Sequence, residues 1–145
     1  MVWTQIMTWV LIIAGWLIVN HQNNIREKRK EIRVTLDKMQ FFLDEVEIQA
    51  IQYHTNQASS DLAFQLKRSL NQKLRDRLEI LKIRNLDVKK CYPLLIKFRQ
   101  AVTLENFDTS NYKAQNLNDD LIKNILLAKD RLSQEFEKSF AKRYP

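Results

Sequence analysis

Hydrophobic and polar positions divide this chain into an apolar opening run and a longer remainder patterned at helical spacing. Residues 2–19, VWTQIMTWVLIIAGWLIV, carry no charged side chain, and the first charged side chain is Arg26. At about 1.5 Å per residue, eighteen helical residues reach roughly 27 Å, just short of the ~30 Å hydrocarbon core of a bilayer. Trp3 and Trp16 lie near the two ends, where indole rings favour the boundary between lipid and water, and Trp9 lies between them. The pattern predicts a transmembrane anchor over residues 1–20 and a polar juxtamembrane collar over 21–24, His21-Gln22-Asn23-Asn24. A cleaved secretory signal would call for a basic stretch ahead of the apolar run and small residues at the cleavage site, which Ala14-Gly15-Trp16 supplies poorly.

Beyond the collar, a helix is predicted from Ile25 to about Tyr53. Ile25, Ile32, Met39, Val46 and Tyr53 recur every seven residues, and Arg29, Leu36, Leu43 and Ala50 take the complementary heptad position. Together they form a coiled-coil-like seam of about four heptads, an expected helix–helix interface. Val34, Phe41 and Ile48 form a second stripe, about 140° around the helix at 100° per residue. A helix apolar on two sides is expected to have neighbours on both, as in a bundle.

His54 to Ser60 read as a turn, with Ser59 or Ser60 able to cap the next helix. That helix carries Leu62, Leu66, Leu70, Leu74, Leu78 and Leu81 on one broad arc and should fold back on the first. Residues 85–92 are irregular, and Pro93 suits the first turn of a shorter helix holding Leu94, Leu95, Ile96, Phe98, Ala101 and Val102. A polar loop over 105–118 precedes a last helix, with Asp119 and Asp120 near its positive end and Lys138, Lys142 and Arg143 near its negative end. Leu121, Ile125, Ala128, Leu132, Phe136 and Phe140 are its predicted buried face.

Composition supports helix and disfavours sheet. One Gly and two Pro in 145 residues leave little material for strand turns, and a single Cys forbids an internal disulfide. The expected fold class is all-α: one N-terminal transmembrane helix, then a three- to four-helix cytoplasmic bundle over 25–145 with a long coiled-coil-like first helix.

Charge sets the expected orientation. Arg26, Lys28, Arg29, Lys30 and Arg33 cluster just after the apolar run, and basic residues beside a span are retained on the cytoplasmic side. The N-terminus is therefore expected outside the cell membrane and the remainder in the cytoplasm. The same cations lie within reach of anionic headgroups. Within the anchor, Thr4, Thr8 and Gly15 fall within about 40° of one another at 100° per residue, a face on which spans can pack closely.

Candidate chemistry is sparse. His21, His54 and Cys91 show no ligand spacing, and the one glycine lies in the anchor, so no phosphate-binding glycine loop can be built. No cofactor, metal or small-molecule substrate is implied. Arg68, Arg75, Lys82 and Lys89 recur every seven residues and, on one continuous helix, would line a strip suited to an anionic partner. No aromatic residues interleave with them, so nucleic acid is a weak expectation, and Asp37, Asp44, Glu45 and Glu47 could meet these cations within the chain. The reading that follows is a non-enzymatic, membrane-anchored interaction protein, with the bilayer and either a protein partner or a second copy as its contacts. The alternative is a membrane-perturbing effector of the toxin or antiphage-defence kind, oligomerising through its anchor.

Overall fold

Helix propensity explains why α1 (Val2–Thr55) is unbroken across the collar. Its His and Asn residues each cost roughly 0.5–0.7 kcal/mol relative to Ala, whereas stopping and nucleating a new helix (σ ≈ 10⁻³) costs about 4 kcal/mol. Propagation is the cheaper course, and the expected helix start at Ile25 is absorbed into a 54-residue helix. The computed structural model describes residues 2–56, 58–107 and 110–145, and among these it is all-helical, without strands. Contacts divide the chain into two units, Met1–Val34 and Thr35–Pro145.

In the first unit every described side chain before Ile32 is exposed, including the whole apolar run. Ile25, placed in the seam by its spacing, is 45% exposed, and Ile32 is the first seam residue to be buried.

Among the described residues, the second unit holds the last part of α1 and five further helical segments. Ser59 caps α2 (Ser60–Arg68), its Oγ accepting from the Leu62 N–H at 3.1 Å. Chain continuity then passes through a five-residue π-helical turn, Ser69–Lys73, into α3 (Leu74–Ile83). That turn narrows the leucine arc. Residues four apart drift about 40° per step on an α-helix, so Leu62 to Leu78 would wrap some 160° around it. A π turn takes up one extra residue, marked by the Leu74 N–H bonding to Ser69 O. Leu66, Leu70, Leu74, Leu78 and Leu81 are all buried as a result.

A Schellman-type end closes α3. Asn85 adopts φ 63°, its N–H reaches Lys82 O at 2.9 Å, and Leu86 N–H reaches Leu81 O at 3.1 Å. Asn substitutes here for the usual glycine because its short polar side chain tolerates the left-handed region. After this loop, α4 (Cys91–Thr103) packs on α5 (Asp120–Arg143). Cys91, Phe98 and Val102 of α4 and Leu121, Ile122, Ile125, Leu132, Phe136 and Phe140 of α5 are buried, Ile122 being one the spacing had not marked.

Ser59→Ala removes the side-chain cap at the start of α2 and should lower stability by about 1 kcal/mol, read as a shift of the denaturant midpoint at unchanged slope.

Candidate interaction surfaces

The seam of α1 is covered by the chain itself. Leu36, Met39, Leu43, Val46, Ala50 and Tyr53 are all buried at 1% exposure or less. Contacts from the π turn with α3, and from α5, reach α1 along the two edges of that seam. Lys73 Nζ and Arg77 Cζ lie 5.9 and 4.7 Å from the centre of the Phe42 ring, over its face. On the other edge, Gln40 Nε2 donates to Ser133 O at 3.2 Å, and Lys129 Nζ lies 2.5 Å from Asp44 Oδ1 and 3.6 Å from Glu47 Oε2. Burial opposes the charge on Lys129, but Asp44 and Glu47 outweigh it and hold its pKa above the ordinary lysine value.

With both neighbours on the seam side, the second stripe is left open. Val34, Phe41 and Ile48 are 53%, 66% and 63% exposed, which corrects the expectation of a neighbour on each side of α1. Periodicity identifies residues that share a face; it does not say whether anything covers that face.

The basic row is also rearranged. Arg68, Arg75, Lys82 and Lys89 are all exposed, but the π turn lies between the first two and Lys89 falls beyond the end of α3. Seven-residue spacing therefore does not align them on a single strip. Lys82 lies 3.5 Å from Glu79, whose other oxygen accepts from the Tyr92 hydroxyl at 2.6 Å. Asp44 and Glu47 meet Lys129 of α5 and not this row.

In the first unit, Arg26, Lys28, Arg29 and Lys30 are exposed and Arg33 is half-buried. The Thr8 hydroxyl donates to Thr4 O one turn back at 2.8 Å, so its proton is already engaged within the helix. A Cβ added at Gly15 would meet no heavy atom within 4 Å, leaving that point of the face open to close approach.

A polar site with no counterpart in the sequence pattern lies at the end of α1. His54, expected in a turn, is the penultimate residue of α1 and is fully buried. Its Nε2 lies 2.9 Å from the Val102 carbonyl, which can only accept, so Nε2 carries the proton. Its Nδ1 lies 3.5 Å from Asn106 Nδ2. Asn106, at φ 54°, is locked in orientation because its Oδ1 accepts from Lys113 N at 2.7 Å and its Nδ2 donates to Lys113 O at 2.8 Å. Tyr53 donates to Phe107 O, Tyr112 donates to Tyr53 O, and Gln115 N–H donates to His54 O, so the loop after α4 is strapped across the end of α1. A surface hollow of about 660 Å³ opens beside this strap, with Phe64 and Leu104 exposed on its walls and Lys67 lying 5.4 Å from the centre of the Phe107 ring.

Burial lowers the His54 pKa below its ordinary 6.5, the bond to Val102 opposing it only in part. Below pH 6.5 the unfolded chain then binds a proton that the folded chain does not, so folding stability should fall as pH drops from 6.5 toward the lowered folded value. The slope cannot exceed about 1.4 kcal/mol per pH unit for one group. Thermal melts of the full chain between pH 7 and 5 should show that decline, and His54→Gln should flatten it.

Cys91 is buried, and burial pushes its thiol up to about 12, which leaves negligible thiolate at neutral pH. No group of three or more His, Cys, Asp or Glu side chains positioned to hold a metal ion occurs among the described residues. Comparison with protein-family models, curated proteins and solved structures finds no match to this chain. Among the described residues one helix, α1, is long and apolar enough near the N-terminus to cross a membrane.

Proposed function

We infer that this chain is a single-pass, non-enzymatic membrane-anchored interaction protein whose helical body makes protein–protein contacts at the cytoplasmic face of the cell membrane. The observation that carries this reading is the contrast within α1. Its apolar opening run is wholly exposed, while its later seam is fully packed by the protein's own helices. An exposed helix with three tryptophans and no charge is unfavourable in water and stable in lipid. Arg26, Lys28, Arg29, Lys30 and Arg33 orient it with the body inside. Crosslinking from single cysteines along residues 34–52 in intact cells, followed by mass identification of the products, tests the interaction claim. Discrete conjugates support it, and a chain that stays uncoupled at every position opposes it.

The membrane-perturbing reading draws on the open approach at Gly15 beside Thr4 and Thr8. Under that reading, induced expression depolarises the membrane within minutes, and Thr8→Leu with Gly15→Leu abolishes the effect. Normal membrane potential at high expression favours the tether.

A further inference from the structure

We propose that the end of the helical body at which α1 enters is a docking surface for anionic lipid headgroups, built from Lys89, Lys90, Lys138, Lys142 and Arg143. The inference rests on the membrane-anchored reading above and adds the class of lipid that the body itself recognises.

The register of α5 against α1 places three of these residues. Lys129 pairs with Asp44 and Gln40 bonds to Ser133, so four residues back along α1 match four residues forward along α5. The two helices are antiparallel, and Lys138 comes roughly opposite Thr35, where the body begins. Lys142 and Arg143 lie one turn further on, at the end of α5. The start of α4 brings the other two to the same place. Its first residue, Cys91, shares a hydrogen bond with Ser139 of α5, and Lys89 and Lys90 immediately precede it. All five cations are exposed, and among the described residues none is held in an ion pair.

Charge is polarised along the body. Residues 87–90 and 135–143 set these five cations against Asp87, Glu135 and Glu137, and the Asp87 carboxylate already accepts from the Lys89 N–H at 3.2 Å. At the other end of the body, Asp61, Glu105, Asp119 and Asp120 outnumber Lys67, Lys113 and Lys123 among the described residues. An acidic soluble partner could be met at any end of the body, whereas the bilayer is tied to this one by the chain. Residues 20–34 separate the apolar run from Thr35, so the entry end lies no more than about 22 Å beyond the hydrocarbon edge. Headgroups fill about 5–7 Å of that distance, and the last turn of α5 recovers about 6 Å. The remaining gap is comparable with the Debye length of ~8–10 Å, across which basic clusters are drawn to an anionic leaflet.

The test uses the full-length chain with Ala141→Cys, an exposed position between Lys138 and Lys142, carrying a nitroxide. Labelling at neutral pH spares Cys91, whose buried thiol is pushed up to about 12. The chain is reconstituted in vesicles of phosphatidylcholine alone or mixed with phosphatidylglycerol, each doped with a nickel-chelating lipid whose headgroup relaxes a nitroxide that touches it. Relaxation at position 141 should be several-fold greater with phosphatidylglycerol, and should return to the phosphatidylcholine value in high salt. Combining Lys89→Glu, Lys90→Glu, Lys138→Glu and Lys142→Glu should abolish the gain at unchanged helix content by circular dichroism, and a label at Ala114→Cys, at the other end, should show none. Equal relaxation in the two lipids, or a gain that survives salt, from chain that floats with the vesicles would overturn the docking surface and leave the anchor intact. Chain that fails to float with the vesicles would remove the anchor, and the docking surface with it.

Discussion

Val10→Arg combined with Ile13→Arg is expected to drive the full-length chain out of the membrane fraction. Both positions lie near the middle of the apolar run and both are open in the structure, 55% exposed each. An arginine at the centre of a span costs about 2.5–3.5 kcal/mol on insertion scales, so the pair costs on the order of 6 kcal/mol. At 1.4 kcal/mol per tenfold, that is about four decades in the insertion equilibrium. The measurement is the pelleted fraction after ultracentrifugation without detergent. Gln5→Leu is the matched control and should remain fully pelleted. A doubly substituted chain that pellets like the parent would mean that the opening run is not held by lipid.

The second large effect separates two adjacent phenylalanines. Phe42→Ala should cost about 3–5 kcal/mol, because it empties a packed site. Phe42 is 6% exposed, and Lys73 and Arg77 lose the ring face on which they sit. For a unit the size of Thr35–Pro145, at about 4–8 °C per kcal/mol, the melting temperature should fall by roughly 10 °C or more. Phe41→Ala, next in the chain but 66% exposed, should stay within about 0.5 kcal/mol of the parent. Equal losses at the two positions would contradict the placement of the seam.

These neighbours also mark what the sequence pattern could and could not reveal. The α1 seam from Ile32 to Tyr53 was legible because heptad spacing is a local property of one helix, and the α5 face was legible for the same reason. Coverage is not local. Whether Phe41 or Phe42 is buried depends on where α3 and α5 reach α1, and no periodicity in α1 encodes that. The π turn at Ser69–Lys73 is not visible in the leucine spacing, which suits a broad arc on one regular helix, and it is this turn that breaks the seven-residue register of the basic row. The strap at His54 left no trace in the pattern, because it joins α1 to Asn106, Phe107 and Tyr112 through single hydrogen bonds across about fifty residues of chain. Asn85 and Asn106 at positive φ do work that glycine usually does, in a chain whose only glycine is Gly15.

The central claim is that the opening run lies in a bilayer and holds the helical body on its inner side. Protease added to sealed cells, followed by detection of a tag at the C-terminus in the washed membrane pellet, addresses both halves at once. The account predicts a tag that survives until the cells are permeabilised and then disappears. Loss of the tag in intact cells, or its recovery in the supernatant of broken cells, would contradict it.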